Sequence, residues 1–209
     1  LAEQRLINET PDMDYVWNCK AKSTRPVGEI VDYHISTGQD DGYAYNENLQ
    51  NNDGAFLKVG YSSFTQPPYY ASGTIFRNVD IPQGAEIIST YLKIRAYDSR
   101  LTDVVYGTIQ AEAADDAAEF GGTRSIGSLA KTSTSVDWDI YEPWSADTWY
   151  TSPDIAVVIQ EVIDRGGWSE GNSLAVIYNT RKNEGGYRNI SSFDRGSDYA
   201  PVLEITYIP

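Results

Sequence analysis

The chain has 209 residues, 41% hydrophobic and 22% charged, which is enough for one sizeable core and too few for two ordinary domains. Thirty acidic residues against sixteen Lys and Arg give a net charge of −14, the wrong sign for a protein whose main partner is a nucleic acid or an anionic bilayer. A lone Cys19 and a lone His34 exclude an internal disulfide, a cysteine-cluster zinc site and any multi-histidine metal centre.

Residues 1–27 lack clear alternation and run into KAKSTRPVG, where Lys20, Lys22 and Arg25 form a local basic cluster beside a Pro and a Gly. They are expected to be an arm or linker, with 28–209 as the folded domain. From Glu29 the pattern changes: Val31, Tyr33 and Ile35 alternate with Asp32, His34 and Ser36, the period of a half-buried strand with His34 on its outer face. TGQDDGYAYNENLQNNDG, dominated by Gly, Asp and Asn, reads as loop. Strands are then predicted at FLKVGY, GTIFRNV, EIISTYLKIRAY, VVYGTIQAEA, VDWDI, LAVIYN, YRNIS and VLEITYI, separated by turn signals as a sandwich requires. In the third of these runs Ile88, Leu92, Ile94 and Ala96 are expected to share a face with Thr90. Between them, Pro82, Gln83 and Gly84 mark a tight turn.

One segment has helical period. In SPDIAVVIQEVIDRGG the apolar residues Ile155, Val158, Ile159, Val162 and Ile163 recur at helix spacing, so about three turns of helix are predicted, with Ser152 as N-cap and Pro153 in the first turn. DDAAEF suggests a further short turn, capped by its aspartates. No apolar run approaches the roughly 18 residues of a membrane span, so membrane insertion is not expected. Sixteen Tyr, five Trp, seventeen Gly and nine Pro fit the same picture: an all-β, jelly-roll type antiparallel β-sandwich with one short helix, of the kind found outside cells.

FRNVDIPQGAEIISTYLKI, AEAADDAAEF, TSTSVDWDI with the following Pro143 and Trp144, SPDIAVVIQEVIDRGGWSEGNSLAVI and APVLEITY together resemble a β-sandwich module of secreted bacterial multidomain proteins and of phage virion proteins, found in the company of carbohydrate-binding modules. The likeness covers about the last two-thirds of the chain and excludes the arm. It implies the fold, and it implies a place near adhesion and glycan-binding functions.

Three groups of residues carry candidate chemistry. Tyr141, Trp144, Trp149 and Tyr150 in YEPWSADTWY, and Tyr69 and Tyr70 in QPPYYASG, offer aromatic faces against which a pyranose ring can lie. Asp40, Asp41 and Asp53 offer the hard oxygen ligands that calcium takes, at a spacing that departs from the EF-hand loop. Tyr15 and Trp17, with Lys20, Lys22 and Arg25, make the arm a candidate for assembly on an acidic neighbouring subunit. No nucleophile-elbow, phosphate-loop, zinc-protease or dinucleotide motif is present, and no carboxylate pair is singled out for glycoside hydrolysis, so no catalysis is expected. The leading expectation is a non-catalytic extracellular or virion-surface module that binds polysaccharide. The alternative is a structural subunit of a phage decoration, tail, fibre or extracellular filament, forming homo- or hetero-oligomers through its arm.

Overall fold

The protein is described by a computed structural model covering residues 28–45, 48–51, 54–62, 69–100, 103–121 and 124–209. The expected assembly arm, with Tyr15, Trp17, Lys20, Lys22 and Arg25, lies outside the described residues, as does Asp53.

Among the described residues, twelve strands form two antiparallel sheets. The smaller contains, in spatial order, β1 (Glu29–His34), β12 (Val202–Ile208), β6 (Glu86–Arg95) and β9 (Trp149–Thr151). The larger runs through β11 (Tyr187–Ser191), β4 (Phe56–Tyr61), β5 (Tyr69–Val79), β10 (Asn172–Thr180), β7 (Gly107–Ala111) and β8 (Val136–Asp137), and a hairpin of β2 (Asp41–Tyr45) and β3 (Asn48–Asn51) is added along β5. Numbering β1, β5, β6, β7, β8, β9, β10 and β12 from first to eighth, the two sheets read 1-8-3-6 and 2-7-4-5, the pairing of a jelly roll. The expected fold class therefore stands.

Leu92, Ile94, Leu203, Ile205, Phe76, Val176 and Leu174 fill the space between the sheets. A smaller cluster lies on the opposite face of β5 and β10, where Ile75, Ala175 and Ile177 meet Phe120 and Ile126. Strands β5 and β10 are thus covered on both faces, and this is why they read as nearly continuous apolar runs. The predicted turn of helix in DDAAEF does not form. Its aspartates hold other groups: Asp115 pairs with Arg165 at 2.6 Å, and Asp116 Oδ1 accepts the Ser173 N–H at 2.8 Å. Ala117 and Phe120 close the second cluster instead.

Two strand expectations change. Ile88 is exposed and Ile87 is buried in its place, because Tyr207 pairs with Ile87 while Thr206 pairs with Ser89. The residue skipped by that register is a bulge, which turns Ile88 outward. TGQDDGYAYNENLQNNDG is not all loop: Asp41–Tyr45 is strand, since the alternation of Tyr43, Ala44 and Tyr45 lets β2 pair with Thr74–Tyr70 of β5. The Pro82–Gly84 turn is as expected, with Ala85 N–H donating to Pro82 O at 3.1 Å and Gly84 at φ +74°.

The helix α1 (Ala156–Ile163) is shorter than the three turns its period suggests. Ser152 does not cap it and Pro153 precedes it. Ser152 Oγ accepts the Leu92 N–H, and Asp154 Oδ1 accepts both the Thr90 and Ala156 N–H groups. Further along, Gln160 receives the Ile87 N–H and donates to Ala85 O. The stretch 152–163 therefore covers the part of the β6 edge that β9 leaves unpaired, satisfying backbone groups that an open edge would expose. Ile155, Val158, Ile159, Val162 and Ile163 are all buried, as the helical spacing requires. Ile159→Ala is expected to cost about 2–5 kcal/mol in denaturant unfolding; a cost below about 0.5 kcal/mol would show that the helix is not docked.

Candidate functional site: an aromatic band around Lys58

The two aromatic groups singled out in the sequence do not converge. Trp144 is fully buried and stacks on Tyr150, with ring centroids 4.3 Å apart, while Tyr150 Oη accepts the Ser145 N–H. That pair anchors the loop and presents no free indole face, so Trp144 is core and not a ligand platform. Trp149 is exposed on β9 of the small sheet, opposite Arg95. Tyr141 is 68% exposed and lies edge-on to Tyr106, beside the large sheet, where Ile140 bridges Val105. Tyr70 is buried at 6%, and Tyr69 is half-buried.

Tyr70 nevertheless leads to the densest aromatic grouping among the described residues. Its position on β5 pairs with both Tyr45 of β2 and Gly60 of β4, so β2 and β4 both reach the same end of β5. Ring contacts then link Tyr43 to Phe56 and Tyr70, Tyr45 to Tyr70, Phe56 to Tyr97, and Tyr70 to Tyr187, with centroids 5.1–6.2 Å apart. Inside this band sits a cation. Lys58 Nζ lies 5.9, 5.3, 5.1 and 5.4 Å from the ring centres of Tyr43, Phe56, Tyr70 and Tyr187, within the range of cation–π attraction. Burial pushes its pKa down, and the neighbouring charge of Arg100 adds to that, with Asp98 partly opposing. Sequence reading missed Tyr43, Phe56, Lys58 and Tyr187. The available signal was the period of two in YAY and in F-x-K, each placing its pair on one face.

Beside the band is a polar group. Arg100 stacks over Tyr187 at 4.3 Å and donates to Asp98 Oδ2, which also accepts from Asn189 Nδ2, both at 2.9 Å. Asp98 Oδ1, Asn189 Oδ1, Arg100 Nε and Tyr45 Oη are buried atoms without a hydrogen-bond partner among the described residues. Such atoms are costly to leave unsatisfied, and those of Asp98, Arg100 and Asn189 lie together just beneath the aromatic surface at Tyr187.

The carboxylates proposed for calcium are already engaged. Both oxygens of buried Asp40 bind the Arg77 guanidinium, and Oδ2 also accepts the Ser36 hydroxyl. An arginine in that position neutralises the charge a cation would need. Asp41 is 1% exposed and accepts the Phe193 N–H at 2.8 Å. Burial raises its pKa to about 7; the Phe193 N–H works against that, and Asp194 and Asp40 add to it. Among the described residues, no three His, Cys, Asp or Glu side chains gather as a metal site.

An open hollow of about 590 Å³ lies beside α1, lined by residues that include Ser133, Thr134, Glu161 and Arg165. Its carboxylate is spent: Glu161 accepts the N–H and hydroxyl groups of both Ser133 and Thr134. Partial burial pushes this carboxyl up, but the four hydrogen bonds outweigh it and hold the pKa at about 2.

No protein-family model matches the chain, and no curated protein is significantly similar to it.

Proposed function

We propose that the chain is a non-catalytic recognition module that binds polysaccharide at an extracellular or virion surface. The observation that carries this reading is the half-buried band of Tyr43, Phe56, Tyr97 and Tyr187 bordered by unsatisfied polar atoms on Asp98, Arg100 and Asn189. Aromatic faces receive the apolar side of a sugar ring, and hydroxyl groups satisfy acceptors and donors placed at its rim. The net charge of −14 keeps nucleic acid from competing for the same surface, and no helix among the described residues is long and apolar enough to cross a membrane.

Retardation in native gels cast with soluble polysaccharides tests the reading. Tyr187→Ala is expected to lose at least about fivefold in affinity for whichever polysaccharide retards the parent protein, since an aromatic contact is worth roughly 0.5–1.5 kcal/mol beyond its buried area. Tyr141→Ala and Trp149→Ala are expected to bind as the parent does. The reverse order would move the site to the exposed aromatics of 141–149.

A structural assembly role is the second reading, favoured by Ile30, which is 69% exposed on β1, a strand that among the described residues pairs only with β12. An open edge of this kind accepts a further strand. Sedimentation of the full chain separates the two readings, because a recognition module remains a monomer at micromolar concentration and an assembly subunit does not.

A further inference from the structure

We propose that the band selects acidic sugars, with Lys58 and Arg100 holding the negatively charged group of the ring. This inference rests on the polysaccharide-binding reading and names its substrate class.

Three observations converge on it. The Lys58 ammonium makes no hydrogen bond and no ion pair with the described residues; around it stand four aromatic rings. Most other cations of this acidic chain have found a carboxylate: Arg77 holds Asp40, Lys93 holds Glu204, Arg124 holds Glu112, Arg165 holds Asp115, and Arg181 holds Asp139. With thirty acidic residues available, an unneutralised lysine inside an aromatic cluster is an exception that an incoming anion would resolve.

The second observation is the neighbouring cation. Arg100 stacks on Tyr187, the same ring that Lys58 approaches at 5.4 Å, and its Nε is buried without an acceptor. Asp98 takes only the Nη2 of that guanidinium. Two positive groups thus border one tyrosine, and one of them has a donor to spare, which suits an oxyanion better than a neutral hydroxyl.

The third observation rejects a bare anion as the ligand. Asp98 Oδ1 and Asn189 Oδ1 are unsatisfied acceptors, and Asn189 is 7% exposed. They need hydroxyl donors, and the half-buried rings of Phe56 and Tyr187 beside them offer apolar surface. A sugar ring bearing a carboxylate or sulfate carries all three features: C–H face, hydroxyl donors and negative charge.

The test uses one polymer in two charge states. Polygalacturonate and its methyl ester share the backbone and differ in charge, and calorimetric titration of the full chain compares them, with dextran sulfate and neutral dextran as a second pair. The parent protein is expected to bind the charged member of at least one pair at least about tenfold more tightly, the scale of one charge-assisted hydrogen bond. Preference for the polyuronate assigns a carboxylate, and preference for dextran sulfate assigns a sulfate. Lys58→Met is expected to remove that preference while changing affinity for the neutral member less than about twofold, and Lys58→Arg is expected to keep it. Equal affinity for charged and neutral members would overturn the acidic-sugar inference and leave polysaccharide binding standing. Failure to bind any charged or neutral polysaccharide would overturn both. If Lys58→Met does not fold, the comparison on the parent protein alone still decides the inference.

Discussion

Trp144→Ala is expected to destabilise the protein by about 3–5 kcal/mol, the cost of emptying a large aromatic site in a packed core. The indole is fully buried between Tyr150, stacked at 4.3 Å and 9°, and Trp138 at 6.3 Å. It also lies 5.8 Å from the guanidinium of Arg188, itself 1% exposed. Among the described residues that arginine hydrogen-bonds to backbone carbonyls, with Nη1 donating to Tyr187 O and Nη2 to Glu142 O, both at 3.2 Å. Burial pushes its pKa down, and the ring and carbonyls around it stabilise the guanidinium charge. Removing the indole leaves a void next to a charged group, which puts the loss toward the upper end of the range. Urea unfolding followed by circular dichroism measures it. Tyr141→Ala, at a surface ring, is expected to stay within about 0.5 kcal/mol. A loss below about 1 kcal/mol for Trp144→Ala would return this residue to the surface, as a ligand platform requires.

Asp41→Asn is expected to make the protein more stable than the parent at pH 8, by an amount on the order of 3 kcal/mol. The sign follows from linkage. The carboxyl titrates near its ordinary 3.8 in the unfolded chain and at about 7 in the folded one, where burial is the main cause. Between those values the folded protein binds a proton that the unfolded chain does not. The contribution is therefore fully present below pH 3.8 and is lost as pH rises through 7. Asparagine cannot ionise and still offers an oxygen to the Phe193 N–H, so the slope between pH 4 and 7 should flatten in the variant. Glu161 acts with the opposite sign. Its pKa falls from 4.5 to about 2, so its contribution is present above pH 4.5 and lost as pH falls toward 2. The two windows adjoin near pH 4, where the combined contribution of these groups is greatest. Thermal unfolding of both proteins from pH 3 to 8 provides the comparison. Parallel curves with the variant less stable throughout would show that Asp41 is not titrating in the folded state.

Much of the architecture was legible because it depends on short-range pattern. FLKVGY is strand over the same residues, Phe56–Tyr61, since two-residue alternation needs only a few positions to declare itself. The apolar face of 155–163 was readable for the same reason, and the Pro82–Gly84 turn follows from fixed and positive φ. What local pattern could not supply were decisions made by partners. Ser152 has the composition of a helix cap, yet the β6 edge captures it. Ile88 has the chemistry of the core, yet a bulge in the pairing with β12 turns it outward.

The candidate site shows this division most clearly. The sequence by itself determined that tyrosines and tryptophans are abundant, that they lie mostly in strands, and that two loops concentrate them. Only the tertiary structure decided which of them share a surface. Tyr43, Phe56 and Tyr187 meet because β2 and β4 pair along the same end of β5 while β11 closes on β4. Register and strand neighbourhood are non-local, so residues far apart in the chain become one surface, whereas Trp144, Trp149 and Tyr141, close in sequence, go to the interior and to two different sheets. The same holds for Asp40 and Asp41. Their neighbourhood of glycines and asparagines suggested solvent, but pairing β2 into the sheet drew both carboxylates inside, one against Arg77 and the other against the Phe193 amide.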